Sequence, residues 1–144
     1  VPIINDREDY HFEIGKGELL REGSDVTIVA TGICVSSALE AAEKLAADGV
    51  SAEVINIHTI KPLDTELIVK SAKKTGKVVT AEEHTIIGGL GGAVCEALSE
   101  KAPTPVLRIG INDVFGESGT AAELVAKYGL DGAGIYAKVK EFVK

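Results

Sequence analysis

The sequence predicts an α/β domain of three layers, α/β/α, around a mostly parallel open sheet of about five strands with one short antiparallel edge strand. Three observations carry this reading. Apolar or β-branched runs recur roughly every 25–28 residues, the spacing of βαβ units with short loops. Stretches with apolar residues at helical spacing lie between successive runs. Glycines, prolines and capping residues stand at the joints between the two patterns. Right-handed crossovers between parallel strands then put helices on both faces of the sheet.

Taken in order, Glu13 to Arg21 is weakly patterned and predicts the short edge strand, ahead of the turn Glu22-Gly23-Ser24-Asp25. Val26 to Thr31 is almost wholly apolar or β-branched, as a strand buried on both faces must be. From Ile33 to Asp48, residues Val35, Ala38, Leu39, Ala42, Leu45 and Ala46 hold a helical stripe, and Gly49 closes it. Ala52 to Ile57 is the next strand. Pro62 keeps Lys61 out of the α region, and Asp64 is placed to cap a helix whose inward stripe is Leu67, Ile68, Ser71 and Ala72. Val78 onward is a third strand, and its helix turns Leu90, Ala93, Val94, Ala97 and Leu98 inward. Pro103 and Pro105 lead to a fourth strand, Val106 to Gly110. Thr120 and Glu123 form a capping box for a helix carrying Ala121, Leu124, Val125 and Tyr128. A last helix follows Gly129 and carries Ile135, Val139, Phe142 and Val143.

The stretch Lys77 to Leu98, KVVTAEEHTIIGGLGGAVCEAL, concentrates the chemistry. It puts Glu82, Glu83, His84 and a glycine-rich turn at the carboxyl end of a strand, where open α/β sheets form their crevice. Gly88-Gly89-Leu90-Gly91-Gly92 resembles a phosphate loop at a helix start. No Lys-Ser/Thr follows it, and the dinucleotide spacing fails at Val94. The plainer use of these glycines is a tight turn and close helix–sheet approach. Glu82, Glu83 and His84 suggest an acid–base cluster or a metal site, but three consecutive side chains rarely converge on one ion. His58 is expected to end the neighbouring strand and meet Glu82 or His84 in a carboxylate–histidine hydrogen bond that pins the loops. Cys34 at a helix start reads as a packed thiol.

Charge and composition exclude several classes. A formal net charge of −7 is wrong for nucleic acid or an anionic membrane, and no apolar run approaches the ~20 residues of a membrane span. Cys34 and Cys95 form neither a CxxC pair nor a disulfide framework. A reducing, cytoplasmic compartment is expected. The chain has no methionine, so Val1 is not expected to be a native start. Residues 1–12 read as a linker from a preceding domain, and residues 13–144 as the α/β domain.

Four blocks in order then resemble one family: EGSDVTIVATG (Glu22–Gly32), HTIKPLD (His58–Asp64), VVTAEEHTIIGGLGGAV (Val78–Val94) and FGESGTAAELVAKYGL (Phe115–Leu130). Together they resemble the C-terminal domain of transketolase, in the thiamine-diphosphate enzyme superfamily, over about residues 12 to 143. Deoxyxylulose-phosphate synthase and the β subunits of 2-oxoacid dehydrogenases carry similar domains. His84 after the glutamate pair, with the FGESG segment, looks more like transketolase. The short form also resembles split transketolases, whose C-terminal section is a separate chain.

The resemblance implies a structural and assembly domain with no catalytic, cofactor-binding or metal residue of its own. It implies thiamine diphosphate and Mg²⁺ in the complete enzyme, held by N-terminal cofactor-binding and pyrimidine-binding domains on the same or a separate chain. It also implies a homodimeric, cytoplasmic enzyme that transfers a two-carbon ketol unit from a ketose phosphate to an aldose phosphate. The fragment alone would be inert. The competing readings are the C-terminal domain of deoxyxylulose-phosphate synthase or of a 2-oxoacid dehydrogenase β subunit, or a small-anion-binding regulatory module. Crevice or domain-interface candidates are Gly32, His58, Glu82, His84 and Gly89.

Overall fold

The computed structural model describes residues 16–32, 34–58, 63–85, 89–111 and 131–144, with the backbone alone at 83–85 and 111. Its elements are β1 (Glu18–Arg21), β2 (Val26–Ala30), α1 (Cys34–Ala47), β3 (Ala52–Asn56), α2 (Thr65–Thr75), β4 (Val78–Thr85), α3 (Leu90–Lys101), β5 (Val106–Ile111) and α4 (Gly132–Phe142). The linker at 1–12 and the capping box at Thr120 and Glu123 lie outside the described residues.

The sheet order is β1-β3-β2-β4-β5. β1 runs antiparallel to β3, and every other pairing is parallel. The predicted architecture, with its antiparallel edge strand, is therefore the observed one. β2 sits at the centre, with Ile28 opposite Val54 on one side and Val79 on the other. All five residues of β2 are buried, which explains why this run shows no apolar–polar alternation.

Alternate residues feed two separate cores. Val26, Ile28, Val79, Ala81 and Ile109 pack under α1 and α4, against Leu45, Ile135 and Val139. Val29, Ile55, Val78 and Ile57 pack under α2 and α3, against Ile68, Leu90, Val94 and Leu98. Fully burying each such aliphatic side chain contributes about 1.5–3 kcal/mol. Asp64 caps α2 as the sequence predicts, with Oδ1 accepting from the Leu67 N–H at 3.3 Å. Its Oδ2 also accepts from the Gly17 N–H at 2.8 Å, tying the approach to β1 onto α2.

The amino ends of the strands hold a buried polar ladder. Glu53 of β3 is 4% exposed. Its Oε1 accepts from Lys74 Nζ at 2.8 Å and from the Gly23 N–H at 3.1 Å, and its Oε2 accepts from Ser71 Oγ at 2.5 Å. The Ser71 hydroxyl lies 2.6 Å from Thr27 Oγ1, which lies 2.8 Å from Thr75 Oγ1. The chain β3–α2–β2 is thus stitched by groups that would each be costly to bury alone. Burial raises the Glu53 pKa, but the hydrogen bonds from Lys74, Ser71 and Gly23 outweigh it, so the carboxyl titrates below its ordinary range.

At the far end of α1, Asp48 accepts from the Tyr136 hydroxyl and pairs with Lys140 Nζ at 3.1 Å. These contacts hold α4 across α1. Asp131 caps α4 by accepting from the Gly134 N–H at 2.8 Å.

Glu53→Gln should lower stability by about 1–3 kcal/mol at pH 7, because the Lys74 ammonium loses its carboxylate and the buried network loses a charge-assisted acceptor. The folded-state pKa of Glu53 is depressed, so this stabilisation is present above the unfolded-state value of about 4.3 and is lost as pH falls through the folded one. Urea titrations at pH 7 and at pH 3 should therefore show the gap between the two proteins shrinking in acid. A gap that stays constant would sink this account.

Candidate functional site

Parallel strands in the order β3-β2-β4 reverse the direction of winding between β2 and β4. The β2–α1–β3 crossover runs to one side and the later units run to the other, so the carboxyl ends of β2 and β4 flank a topological switch point. Gly32 lies two residues beyond β2, and Glu82 lies in the distal half of β4. Gly89 is the N-cap of α3, which springs from the same corner. Three of the five candidates are therefore grouped by topology. Gly32 takes φ +57°, a left-handed turn out of β2 that a side chain would disfavour.

His58 is placed differently. It follows β3, and β2 stands between β3 and β4. Two strand spacings, about 10 Å, separate the backbones concerned. The expectation that His58 ends a strand next to Glu82 is thus corrected, because the first crossover and the second run in opposite directions. His58 is half-buried at the same rim. The His84 backbone lies in β4, while its side chain and that of Glu83 lie outside the described residues.

The strand carrying these residues is longer and less regular than the sequence suggests. β4 continues through Glu82-Glu83-His84 to Thr85 instead of ending at the glutamates. Ala81 pairs with Ile109 and Thr85 with Ile111, so β4 takes four steps while β5 takes two. The surplus is a bulge centred on the acidic pair and the histidine. Bulges of this kind re-aim side chains at the end of a ladder.

Glu82 is 2% exposed and lies on the α3 side of the sheet. Its Oε2 accepts from the Gly91 N–H at 3.0 Å. The N-cap of α3 is Gly89, which has no side chain to satisfy the first-turn N–H groups. Glu82 supplies the missing cap from the neighbouring strand and puts negative charge at the positive end of the helix dipole. An incoming phosphate would have to share this helix start with a resident carboxylate, which weighs against the anion-module reading.

The contact needs glycine at 91. A Cβ there would stand 2.7 Å from Arg108 Nε, 3.1 Å from Thr80 Oγ1 and 3.2 Å from Arg108 Cγ. The Thr80–Arg108 rung of β4 and β5 lies directly beneath the first turn of α3. Gly91 thus serves close helix–sheet approach, the plainer use read for this stretch. Sequence reasoning missed the Glu53–Ser71–Thr27 ladder. A glutamate inside an otherwise apolar strand was the available signal. Among the described residues, no group of three His, Cys, Asp or Glu side chains is arranged to hold a metal ion, and no helix is long and apolar enough to cross a membrane.

Comparison with known proteins places this geometry. The family model for the C-terminal domain of transketolase matches residues 15–135. A 6-deoxy-6-sulfo-D-fructose transketolase subunit from Clostridium sp. (strain MSTE9) is 55% identical over 125 residues, which cover 87% of this chain and 39% of that protein. A putative transketolase C-terminal section from Methanocaldococcus jannaschii is 51% identical, over 99% of this chain and 44% of that protein. A solved structure of a split-gene transketolase, an inactive β4 tetramer, superposes with a TM-score of 0.90 at 53% identity, covering 98% of this chain and 46% of that one. The chain thus spans less than half the length of each of these relatives.

Gly91→Val should cost about 2 kcal/mol or more, since the added atoms meet Thr80 and Arg108 in a packed joint. Gly92→Ala is the control. The nearest atom to its new Cβ is 3.8 Å away, so helix propensity dominates and the change should stabilise by up to about 1 kcal/mol. Opposite signs in paired denaturation curves are the expected result; equal effects would show that close approach at Gly91 is not what the glycines provide.

Proposed function

Because the chain belongs to the transketolase C-terminal domain family, we propose that it is the structural and assembly part of a thiamine-diphosphate transketolase. The complete enzyme would move a two-carbon ketol unit from a ketose phosphate to an aldose phosphate. The observation that carries this is the identity above 50% with transketolase subunits and a C-terminal section across most of the chain.

The cofactor and its magnesium belong, on this reading, to cofactor-binding and pyrimidine-binding domains supplied by the same or a separate chain. The GDG sequence that would begin the metal-binding motif does not occur in these 144 residues. On this reading no step of the reaction is assigned to this chain. Its part is to present the β4–α3 corner and its neighbouring loops to the partner domains, and to help hold two enzyme copies together in the cytoplasm. The cap that Glu82 makes on α3 supports this role, since the corner's buried carboxylate is engaged in holding the fold. Gly32, His58, His84 and Gly89 are proposed as the surrounding rim.

Two measurements test the reading. The chain alone should show no ketol transfer, and mixing it with the completing cofactor-binding and pyrimidine-binding domains should produce it. His84→Ala should lower the melting temperature or the assembly of that complete enzyme while leaving kcat within about threefold, a barrier change under about 1 kcal/mol. A clean loss of kcat with an intact assembly would place His84 in the chemistry instead.

A further inference from the structure

The outer face between α2 and α3 carries an unusual arrangement of charge. A hollow of about 550 Å³ lies against α2 and the end of α3, and it adjoins a second hollow of about 290 Å³ between the two helices, with Thr65 and Lys101 common to both. Val69, Ala93 and Ala97 are half-buried along this groove. Lys70 and Lys73 line the α2 wall, and Glu96 and Glu100 line the α3 wall. All four are exposed, and among the described residues none has an ion-pair partner within the chain. Glu66 at the start of α2 and Lys101 at the end of α3 temper each wall without reversing its sign. On the opposite face of the sheet, Asp48 and Lys140 do find each other.

The lysines line the larger hollow and the glutamates the adjoining one, so the face presents a basic strip beside an acidic strip. An occupant that spans both hollows meets both strips, and is matched by one that carries both signs in reversed order on either side of an apolar seam. A second copy of this chain has that pattern. A two-fold axis through the groove sets the basic α2 wall of each copy against the acidic α3 wall of the other, and brings Val69, Ala93 and Ala97 of the two copies together. Such isologous contacts are self-complementary by construction. Opposed charges of this kind fix register and discriminate against wrong partners.

We infer that the α2–α3 groove is a self-association surface, in which Lys70 and Lys73 of one copy face Glu96 and Glu100 of the other. This deepens the assembly role proposed above by naming the surface, and rests on that role only for the presence of a second copy.

Charge exchange tests it. The 144-residue chain should self-associate in sedimentation velocity, more weakly as salt is raised, because exposed charges are screened. Lys70→Glu/Lys73→Glu and Glu96→Lys/Glu100→Lys should each weaken self-association at least ~10-fold, through like charges facing across the seam. An equimolar mixture of the two reversed chains should regain it, because each then meets a wall of opposite sign. Circular dichroism melts confirm that both variants are folded; should either fail to fold, Lys70→Gln/Lys73→Gln replaces it and is held to the same loss. A chain that stays monomeric, folded variants that associate like the original, or reversed chains that do not recover on mixing would each overturn the inference. The activity of the mixture with the completing domains is read separately. Ketol transfer with charge-insensitive association would reject this surface and keep the proposed role, whereas no ketol transfer would reject the role itself.

Discussion

A carboxylate taken out of water has to be paired, and at the floor of this sheet that requirement organises everything above it. Glu53 accepts from a turn N–H, a helix hydroxyl and a helix ammonium at once. Those three donors belong to the β1–β2 turn and to two successive turns of α2. Satisfying one buried group therefore fixes where α2 crosses the sheet and how β2 lies beside β3. With α2 placed, α3 packs alongside it, and the first turn of α3 settles on the Thr80–Arg108 rung. The opposite rim inherits its geometry from this anchored floor.

The rim shows how the same chemistry can serve architecture. Two buried glutamates, Glu53 and Glu82, sit on strands separated by β2 and both accept from backbone N–H groups. One engages a turn and the other a helix start. In each case a glycine brings the backbone close enough for the carboxylate to reach. Acidic residues beside glycines at strand ends invite a catalytic reading, and here both are engaged in holding the fold.

Much of the fold was legible in the residues. The apolar run of β2, the Asp64 cap and the helical stripes follow from local periodicity and short-range hydrogen bonding, which a sequence displays directly. Strand order was not legible in that way. Whether β3 lies beside β4 depends on the direction of successive crossovers, and no local pattern records it, so His58 was set on the wrong neighbour. The bulge at Glu82–His84 is likewise a property of two strands together. The ladder from Glu53 to Thr75 joins residues far apart in the chain, and only their shared burial reveals them as one group. Ala93 and Ala97 were expected to face in, yet they are half-buried, because α3 shares that side with the α2 groove.

The clasp between α1 and α4 has a temporal side. Tyr136 and Asp48 are 88 residues apart, and Ile135 and Val139 complete the core over Val26 and Ile28. During synthesis, the sheet and the first three described helices emerge before α4, which completes the cover that α1 begins over that face. Until α4 arrives, α1 alone among the described helices covers that face, and the nascent chain carries an apolar surface wanting the rest of its cover. Contacts of such long sequence separation form late and slow the search for the native state. The exposed interval is when a chaperone, or a misplaced neighbour, would find this protein most receptive.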